Sequence, residues 1–370
     1  MLEKIARPAR ATAVKVLAGL AGAAALIAGP SPSPAVAANP TFDAVVVIET
    51  WLLPRYDTLV AATDAQKTAW TSFCAKPEAA GVAGLKDAYG KTADAWNAVE
   101  FITFGPISQQ LRPDRFNFFP DRRNGIARGM ADIIADADPG RLEAERFTQT
   151  SAAAQGLPAL ERLLFEEGAA SALVSGAEAA RRCAYGTAIA SNLATIARDV
   201  RTPWGDRSSG LLAGLAAGKG DPALFPDAAA LPGMILTDLS GAYQRVTDTK
   251  ILPVLASGAD DAKPLLADNW RSGRSSRVAA NMIKSADALL RTVATQMPSR
   301  PQWVVNKAAT EADAAADKLP ADLGAAAQTA AGQAALHTAI KTFKGAQMVV
   351  YRPMASYFGI SLGFNALDGD

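Results

Sequence analysis

Apolar residues recur at helical spacing along almost the whole chain, and this periodicity is what most constrains the fold. In one early example, Val45, Ile48 and Leu52 lie on one side of a helix. Alanine is abundant, aromatic residues make up only 7% of the chain, and runs of β-branched residues are few. This composition favours helices over strands. We therefore predict an all-α protein whose antiparallel helices turn their apolar stripes inward.

The 370 residues are enough for two domains. A segment rich in glycine and proline, residues 203–232, reads as a linker. We predict an N-terminal helical bundle over residues 38–202 and a C-terminal one over residues 233–370, each with roughly four helices, packed side by side. The predicted helices cover residues 41–62, 65–75, 80–101, 125–137, 141–165, 176–200, 235–255, 269–291, 302–317 and 325–357.

The N-terminus has the three parts of a secretory signal peptide. Residues 4–15 are basic, residues 16–29 are apolar, and Ala35-Val36-Ala37 offers small residues for cleavage. We predict cleavage near Ala37-Ala38 and a periplasmic or secreted protein. No cysteine lies near the cleavage site to carry a lipid anchor. The apolar stretch is too short to span a membrane, and no later run is apolar enough to do so.

Charge and motifs argue against several function classes. Without residues 1–37 the chain has 33 basic and 35 acidic residues, a net charge of −2. This balance gives no reason to expect nucleic acid or an anionic membrane surface as a partner. The chain has no G-x-S-x-G elbow and no Walker loop, and its single histidine, His337, makes a Ser-His-Asp triad doubtful.

The two cysteines, Cys74 and Cys183, favour a disulfide in an oxidising compartment. Such a bridge would close a loop of about 100 residues and contribute about 4–5 kcal/mol in the chain-entropy model. Two inert buried thiols are the alternative. Neither cysteine has a neighbouring histidine or a Cys-x-x-Cys partner, so a thiol active site is not expected.

Two acidic residues stand on apolar helix faces. Glu161 falls four residues after Leu157 in the stretch GLPALERLLF, and Glu100 falls four residues after Trp96. A carboxylate that points inward needs a partner. As a functional pair they could coordinate a hard cation, with Asp121 or the terminal residues 368–370 nearby. As structural residues they would be satisfied by arginines and tie helices together.

Two more segments are candidates for a binding surface. Residues 104–125 form a long stretch rich in arginine and phenylalanine, which is typical of a functional loop or of a lid packed by its own aromatic rings. Arg271, Arg274 and Arg277 follow at i,i+3 spacing, which predicts one basic face at a helix N-terminus. They could bind an anionic ligand or pair with the two acids across the domain boundary. A solvated basic stripe is the alternative.

These stretches resemble a known family. GLPALERLLF (156–165) is similar to the signature helix of the imelysin-like family of exported bacterial proteins. Further resembling segments are AWNAVEFITFGP (95–106), FFPD (118–121), NWRSGRSSRVAANM (269–282) and GFNALDGD (363–370). The resemblance extends over nearly the whole mature chain and implies two helical bundles with a site between them.

The chain departs from the family at one position. The family pattern is G-x-H-x-x-E, from which metal binding and peptidase activity were proposed. Gly156 and Glu161 match its ends, but Pro158 stands where the histidine belongs. Zinc catalysis usually takes three protein ligands, commonly including histidine. We therefore do not carry the peptidase label over to this chain.

The resemblance implies an association with iron uptake. We expect a non-enzymatic accessory protein for the uptake of iron or another ligand, with envelope uptake proteins as partners. Its ligand, a metal ion such as iron or a small anion, would bind between the bundles around Glu161, Glu100, Asp121, Arg271 and Arg274. Two alternatives stay open: a metallopeptidase of the imelysin type, and a ligand-free scaffold protein in which protein partners neutralise Glu161.

Overall fold

The computed structural model describes residues 41–363, and every regular element in this range is helical. The all-α prediction is confirmed. The predicted signal peptide and the terminal residues 368–370 lie outside the described residues. The helices of nine or more residues are α1 Leu53–Ala75, α2 Val82–Asn97, α3 Gly125–Ala135, α4 Leu157–Phe165, α5 Ala179–Arg201, α6 Leu231–Gln244, α7 Ser275–Ala294, α8 Ser299–Ala316 and α9 Ala330–Val349.

Shorter elements connect these helices. The short α-helices are Ala44–Val47, Arg112–Phe116, Ala144–Phe147, Ala169–Val174, Gly210–Ala216, Leu252–Leu255, Leu323–Ala327 and Ser356–Phe358. Wider π-helical turns cover Ile48–Leu52, Arg245–Ile251 and Val350–Ala355. Single 3₁₀ turns cover Ala79–Gly81, Gly105–Ser108, Pro139–Leu142, Ala152–Ala154, Thr202–Trp204, Ala228–Ala230, Ala259–Asp261 and Pro264–Leu266.

Several predicted helix boundaries are wrong, and two cases in the first half have a clear physical reason. The predicted helices 41–62 and 65–75 are one continuous helical stretch, because no glycine or proline interrupts residues 55–75. The predicted helix 141–165 is broken into short turns before α4. At the break, the Gln155 side-chain amide donates to the Thr150 carbonyl at 2.6 Å. A side chain thus satisfies a backbone group that a continuous helix would have paired.

The first half packs around α1, which lies against α2 and α5. Trp70 of α1 is fully buried, and a Cβ at Gly186 of α5 would lie 2.1 Å from its indole. Only glycine lets the two helices approach so closely. The predicted disulfide is confirmed: Cys74 and Cys183 join the same two helices with their Cα atoms 5.6 Å apart.

The second half packs α7 against α8, α8 against α9, and α6 against both α7 and α9. Contacts between α2 and α7 join it to the first half, and the Trp51 indole donates to the Ser285 carbonyl at 3.2 Å. The predicted linker contains the helix Gly210–Ala216 and buries Trp204 completely. The division into two domains stays a prediction. Within residues 41–363, no helix is both long and apolar enough to cross a membrane.

Candidate functional site

A cavity of about 320 Å³ lies where four stretches of the chain meet. Its walls come from residues 118–126, from the first half of α4, from residues 248–253 and from residues 265–271. The stretches come from both halves of the sequence, so the cavity forms only when the chain is folded. Cavities of about 300 Å³ and more are typical of small-molecule sites.

Glu161 reaches this cavity from α4. The helix begins at Leu157 with Pro158 in its first turn, where a missing N–H costs nothing. Glu161 is only 4% exposed, as its place on the apolar face predicts. Its Oε1 accepts from the Ser272 backbone N–H at 2.9 Å and from the Ser272 hydroxyl at 2.8 Å. Burial raises the pKa of Glu161, while these hydrogen bonds and the Arg271 charge oppose the shift.

Glu100 does not line the cavity. Its carboxylate accepts from Lys250 Nζ at 3.1 Å, and Asp268 accepts from the same amine at 2.5 Å. All three side chains are buried. Burial disfavours the charge of Lys250, but the two carboxylates outweigh burial and raise its pKa. The amine also lies 5.1 Å from the centre of the Phe119 ring, which belongs to the cavity wall.

Asp121 lines the cavity, and both of its oxygens are held by the N-terminus of α3. Oδ1 accepts from the Gly125 N–H at 2.7 Å, and Oδ2 accepts from the Ile126 N–H at 2.9 Å. Such a carboxylate satisfies N–H groups that have no partner in the first turn of a helix. Asp121 thus anchors the stretch 118–121 against α3.

The prediction that Arg271, Arg274 and Arg277 share one helix face is wrong. The helix α7 begins at Ser275, so the first two arginines lie in the turn before it. The glycine at 273, with φ +67°, turns the chain there and breaks the helical spacing. Arg274 points away from the cavity and donates to Asp94 at 2.5 Å. Arg277 donates to the same carboxylate at 2.7 Å.

Arg271 does reach the cavity. Its Nε donates to Glu166 Oε1 at 3.2 Å, and its guanidinium lies 4.2 Å above the Trp270 ring. The predicted partners of the arginines were Glu161 and Glu100, but neither forms a hydrogen bond with Arg271. The backbone N–H and the hydroxyl of Ser272 donate hydrogen bonds to Glu161 instead, and Lys250 donates to Glu100.

Of the five predicted site residues, three line the cavity: Glu161, Asp121 and Arg271. Helical periodicity did not single out Lys250, although a lysine directly before the apolar run Ile251–Leu255 was a usable signal. It also missed Asp268, which directly precedes the resembling segment that begins at residue 269. Ser272 carried no signal, because a serine in a turn is ordinary.

No group of three or more histidine, cysteine, aspartate or glutamate side chains within residues 41–363 is arranged to hold a metal ion. The carboxylates of Glu100 and Asp268 face an ammonium group, and His337 is exposed on α9.

The comparison with protein families decides the relationship. The model of the imelysin family, labelled Peptidase M75, matches residues 52–347. The chain belongs to the imelysin family. The match confirms the resemblance that the sequence segments indicated, and it places the cavity and both cysteines within the matched part. A comparison with curated proteins gave no match.

Two solved structures share the imelysin-like fold. An imelysin-like protein from Psychrobacter arcticum 273-4 is 20% identical and has a TM-score of 0.70, over 89% of this chain and 100% of that one. A putative iron-regulated protein A precursor from Parabacteroides distasonis ATCC 8503 is 18% identical, also with a TM-score of 0.70, over 87% and 97% of the two chains. At these identities the likeness concerns the fold.

Proposed function

We propose that this imelysin-like protein is an exported, non-enzymatic accessory protein for the uptake of iron or another ligand, and that it binds this ligand in the cavity. One observation carries the proposal. Three segments that resemble the family, at residues 118–121, 156–165 and 269–282, come from distant parts of the sequence and all contribute to the walls of this cavity.

The chemistry of the cavity supports binding of a small molecule. Its wall combines the rings of Phe118, Phe119 and Trp270 with the charged groups of Glu161 and Arg271. An apolar lining with a few placed polar groups is typical of small-molecule sites. One structural neighbour is a putative iron-regulated protein A precursor, and this supports a link with iron. The pattern of a signal peptide supports export.

Two features support a role without catalysis. Pro158 stands where the family pattern has a histidine, so this position offers no metal ligand or base. The carboxylates of Glu161 and Asp121 are engaged by backbone N–H groups, which hold them as fixed acceptors. Side chains held in this way suit recognition of a ligand.

Calorimetric titration of the mature protein tests the proposal. We would titrate ferrous, ferric and zinc ions and haem into the wild type, Glu161→Gln and Glu167→Gln. Glu167 is exposed and lies two residues beyond the end of α4, so its variant is a matched control. We expect saturable binding of one of these probes that Glu161→Gln weakens and Glu167→Gln leaves unchanged. Absence of binding to the wild type, or equal loss in both variants, would contradict the proposal.

A further inference from the structure

We infer that the cavity takes a small organic anion with a flat apolar body, whose anionic end is bound by the guanidinium groups of Arg122, Arg162 and Arg271. The inference rests on the proposed function, since it names the ligand class of the same cavity. It concerns the chemistry of the ligand and is independent of whether that ligand carries iron.

The apolar part of the wall suits a flat ligand. Phe118, Phe119 and Trp270 contribute rings from two sides. Leu265 and Leu266 line the same cavity and are 64% and 47% exposed. Aromatic and leucine side chains that remain open to solvent around a cavity can cover an apolar body.

The acidic side chains of the wall are largely engaged with groups of the protein. Asp121 accepts from two backbone N–H groups. Asp268 accepts from Lys250 at 2.5 Å and from the Asn269 amide at 2.8 Å. Asp248 pairs with Lys344 at 3.3 Å. Two of these three carboxylates, Asp268 and Asp248, thus already face a lysine of the protein.

The guanidinium groups of the wall can still donate hydrogen bonds to a further acceptor. Arg162 and Arg271 both pair with a single oxygen, Oε1 of Glu166. The Nε–H of Arg162 is buried without an acceptor among the described residues. Burial and the nearby Arg162 charge lower the pKa of Arg271, so this pair of cations is incompletely neutralised. A second anion between them would supply the missing acceptor and charge.

Arg122 adds a third cation to the wall. It lines the cavity, and within residues 41–363 it forms no hydrogen bond or ion pair. Its neighbour Arg123 also forms none in that range, but it does not line the cavity. Two adjacent exposed arginines thus differ in their position relative to the cavity, which provides a matched pair for an experiment.

Glu161 is a further acid that lines the cavity. Its Oε1 is satisfied by Ser272, and burial raises the pKa of its carboxyl. The Ser272 donors and the nearby Arg271 charge offset the charge of the carboxylate. Glu161 is therefore compatible with an oxyanion at the three arginines.

Three naphthalene compounds that differ in charge test the inference. We would titrate 2-naphthoate, 2-naphthalenemethanol and 2-naphthylmethylamine into the mature protein and follow binding by calorimetry. We expect 2-naphthoate to bind about tenfold or more tightly than the alcohol, because a hydrogen bond to a charged group is stronger than a neutral one. We expect the amine to bind most weakly.

Single variants assign the charge preference to the wall. Arg122→Gln and Arg271→Gln should each weaken 2-naphthoate binding about fivefold, with little effect on the alcohol. Arg123→Gln should bind 2-naphthoate as the wild type does. The same loss in Arg122→Gln and Arg123→Gln would overturn the inference, because the effect would then come from the net charge of the protein.

The other outcomes separate the inference from the proposed function. Equal binding of the three compounds, or tightest binding of the amine, would overturn the anion inference and leave the cavity as a binding site. Failure of all three compounds to bind would also overturn the inference. The titrations with metal ions and haem would then decide the proposed function by themselves.

Discussion

Oε1 of Glu161 accepts hydrogen bonds from both the backbone N–H and the hydroxyl of Ser272, 111 residues later in the sequence. This contact joins α4 to the turn before α7 at the wall of the cavity. A buried carboxylate that two donors hold is fixed in position, and the turn that supplies the donors is fixed with it. At Glu161, the proposed ligand binding and the stability of the cavity wall can therefore both be tested.

The contact predicts different effects of two substitutions at Glu161. Glu161→Gln keeps an oxygen that can accept from Ser272, so we expect a loss of about 1 kcal/mol or less in the free energy of unfolding. Glu161→Ala leaves the Ser272 N–H without its acceptor, and we expect a loss of about 2–3 kcal/mol. Denaturant unfolding measures both. Equal losses in the two variants would show that the hydrogen bonds contribute nothing.

Because Lys250 is buried between two carboxylates, the free energy of unfolding should depend strongly on the charge balance of these three side chains. Lys250→Met removes the cation between Glu100 and Asp268 and leaves two facing carboxylates, so we expect a loss of about 3–5 kcal/mol. The triple variant Lys250→Met, Glu100→Gln, Asp268→Asn removes all three charges and should regain most of this loss. Denaturant unfolding of both proteins checks this. A triple variant no more stable than the single one would refute the charge explanation.

Asp238 predicts that stability falls as the pH rises. It is buried, it accepts from the Thr103 N–H at 2.7 Å, and burial raises its pKa from 3.8 to about 7. The folded state therefore binds the proton more tightly, and the stability from this group is complete below about pH 4 and lost as the pH rises through about 7. The free energy of unfolding below about pH 4 should exceed that above about pH 7 by an amount on the order of a few kcal/mol.

Asp238→Asn tests this dependence because asparagine imitates the protonated acid. Relative to wild type, the variant should be more stable at pH 8 than at pH 5, by free energies of unfolding measured at both values. Asp260→Asn, the same change at an exposed position, is the control. An Asp238→Asn difference that is the same at both pH values would disprove the assignment.

The disulfide predicts sensitivity to reductant. Replacing Cys74 and Cys183 by alanine, or reducing the bond, should lower the free energy of unfolding by about 4–5 kcal/mol, because the bond closes a loop across a sequence separation of 109 residues. The double alanine variant should not respond to reductant. Unfolding of wild type and variant with and without reductant measures this, and an equal response of both would contradict it.

Gly156 predicts a steric effect at the start of α4. A Cβ there would lie 2.4 Å from the Phe116 carbonyl oxygen, so Gly156→Ala must push α4 away from that backbone. We expect a loss of about 1–3 kcal/mol. Gly84→Ala is the matched control: its Cβ would meet nothing within 4 Å, it lies in α2, and a gain of up to about 1 kcal/mol is expected. Thermal unfolding compares them, and equal effects would exclude the steric explanation.

Much of the fold and part of the candidate site could be predicted from the sequence. Helical periodicity predicted the all-α class, and the inward position of Glu161 followed from its spacing to Leu157. Helical periodicity gave a wrong prediction where a turn replaces a helix. The spacing of the arginines at 271–277 predicted one helix face, but Gly273 turns the chain before α7 begins. Spacing cannot reveal that a glycine adopts a positive φ.

By itself, the sequence determined the helical class, the two cysteines available for a bridge, and the family through its segments at 118–121, 156–165 and 269–282. Apolar period and motif are local properties, so they can be read without coordinates. Only the tertiary structure decided that Ser272 is the partner of Glu161 and that Lys250 lies between Glu100 and Asp268. Glu161 and Ser272, like Lys250 and Glu100, are more than 100 positions apart in the sequence. Buried polar side chains find such partners only when the helices have packed together.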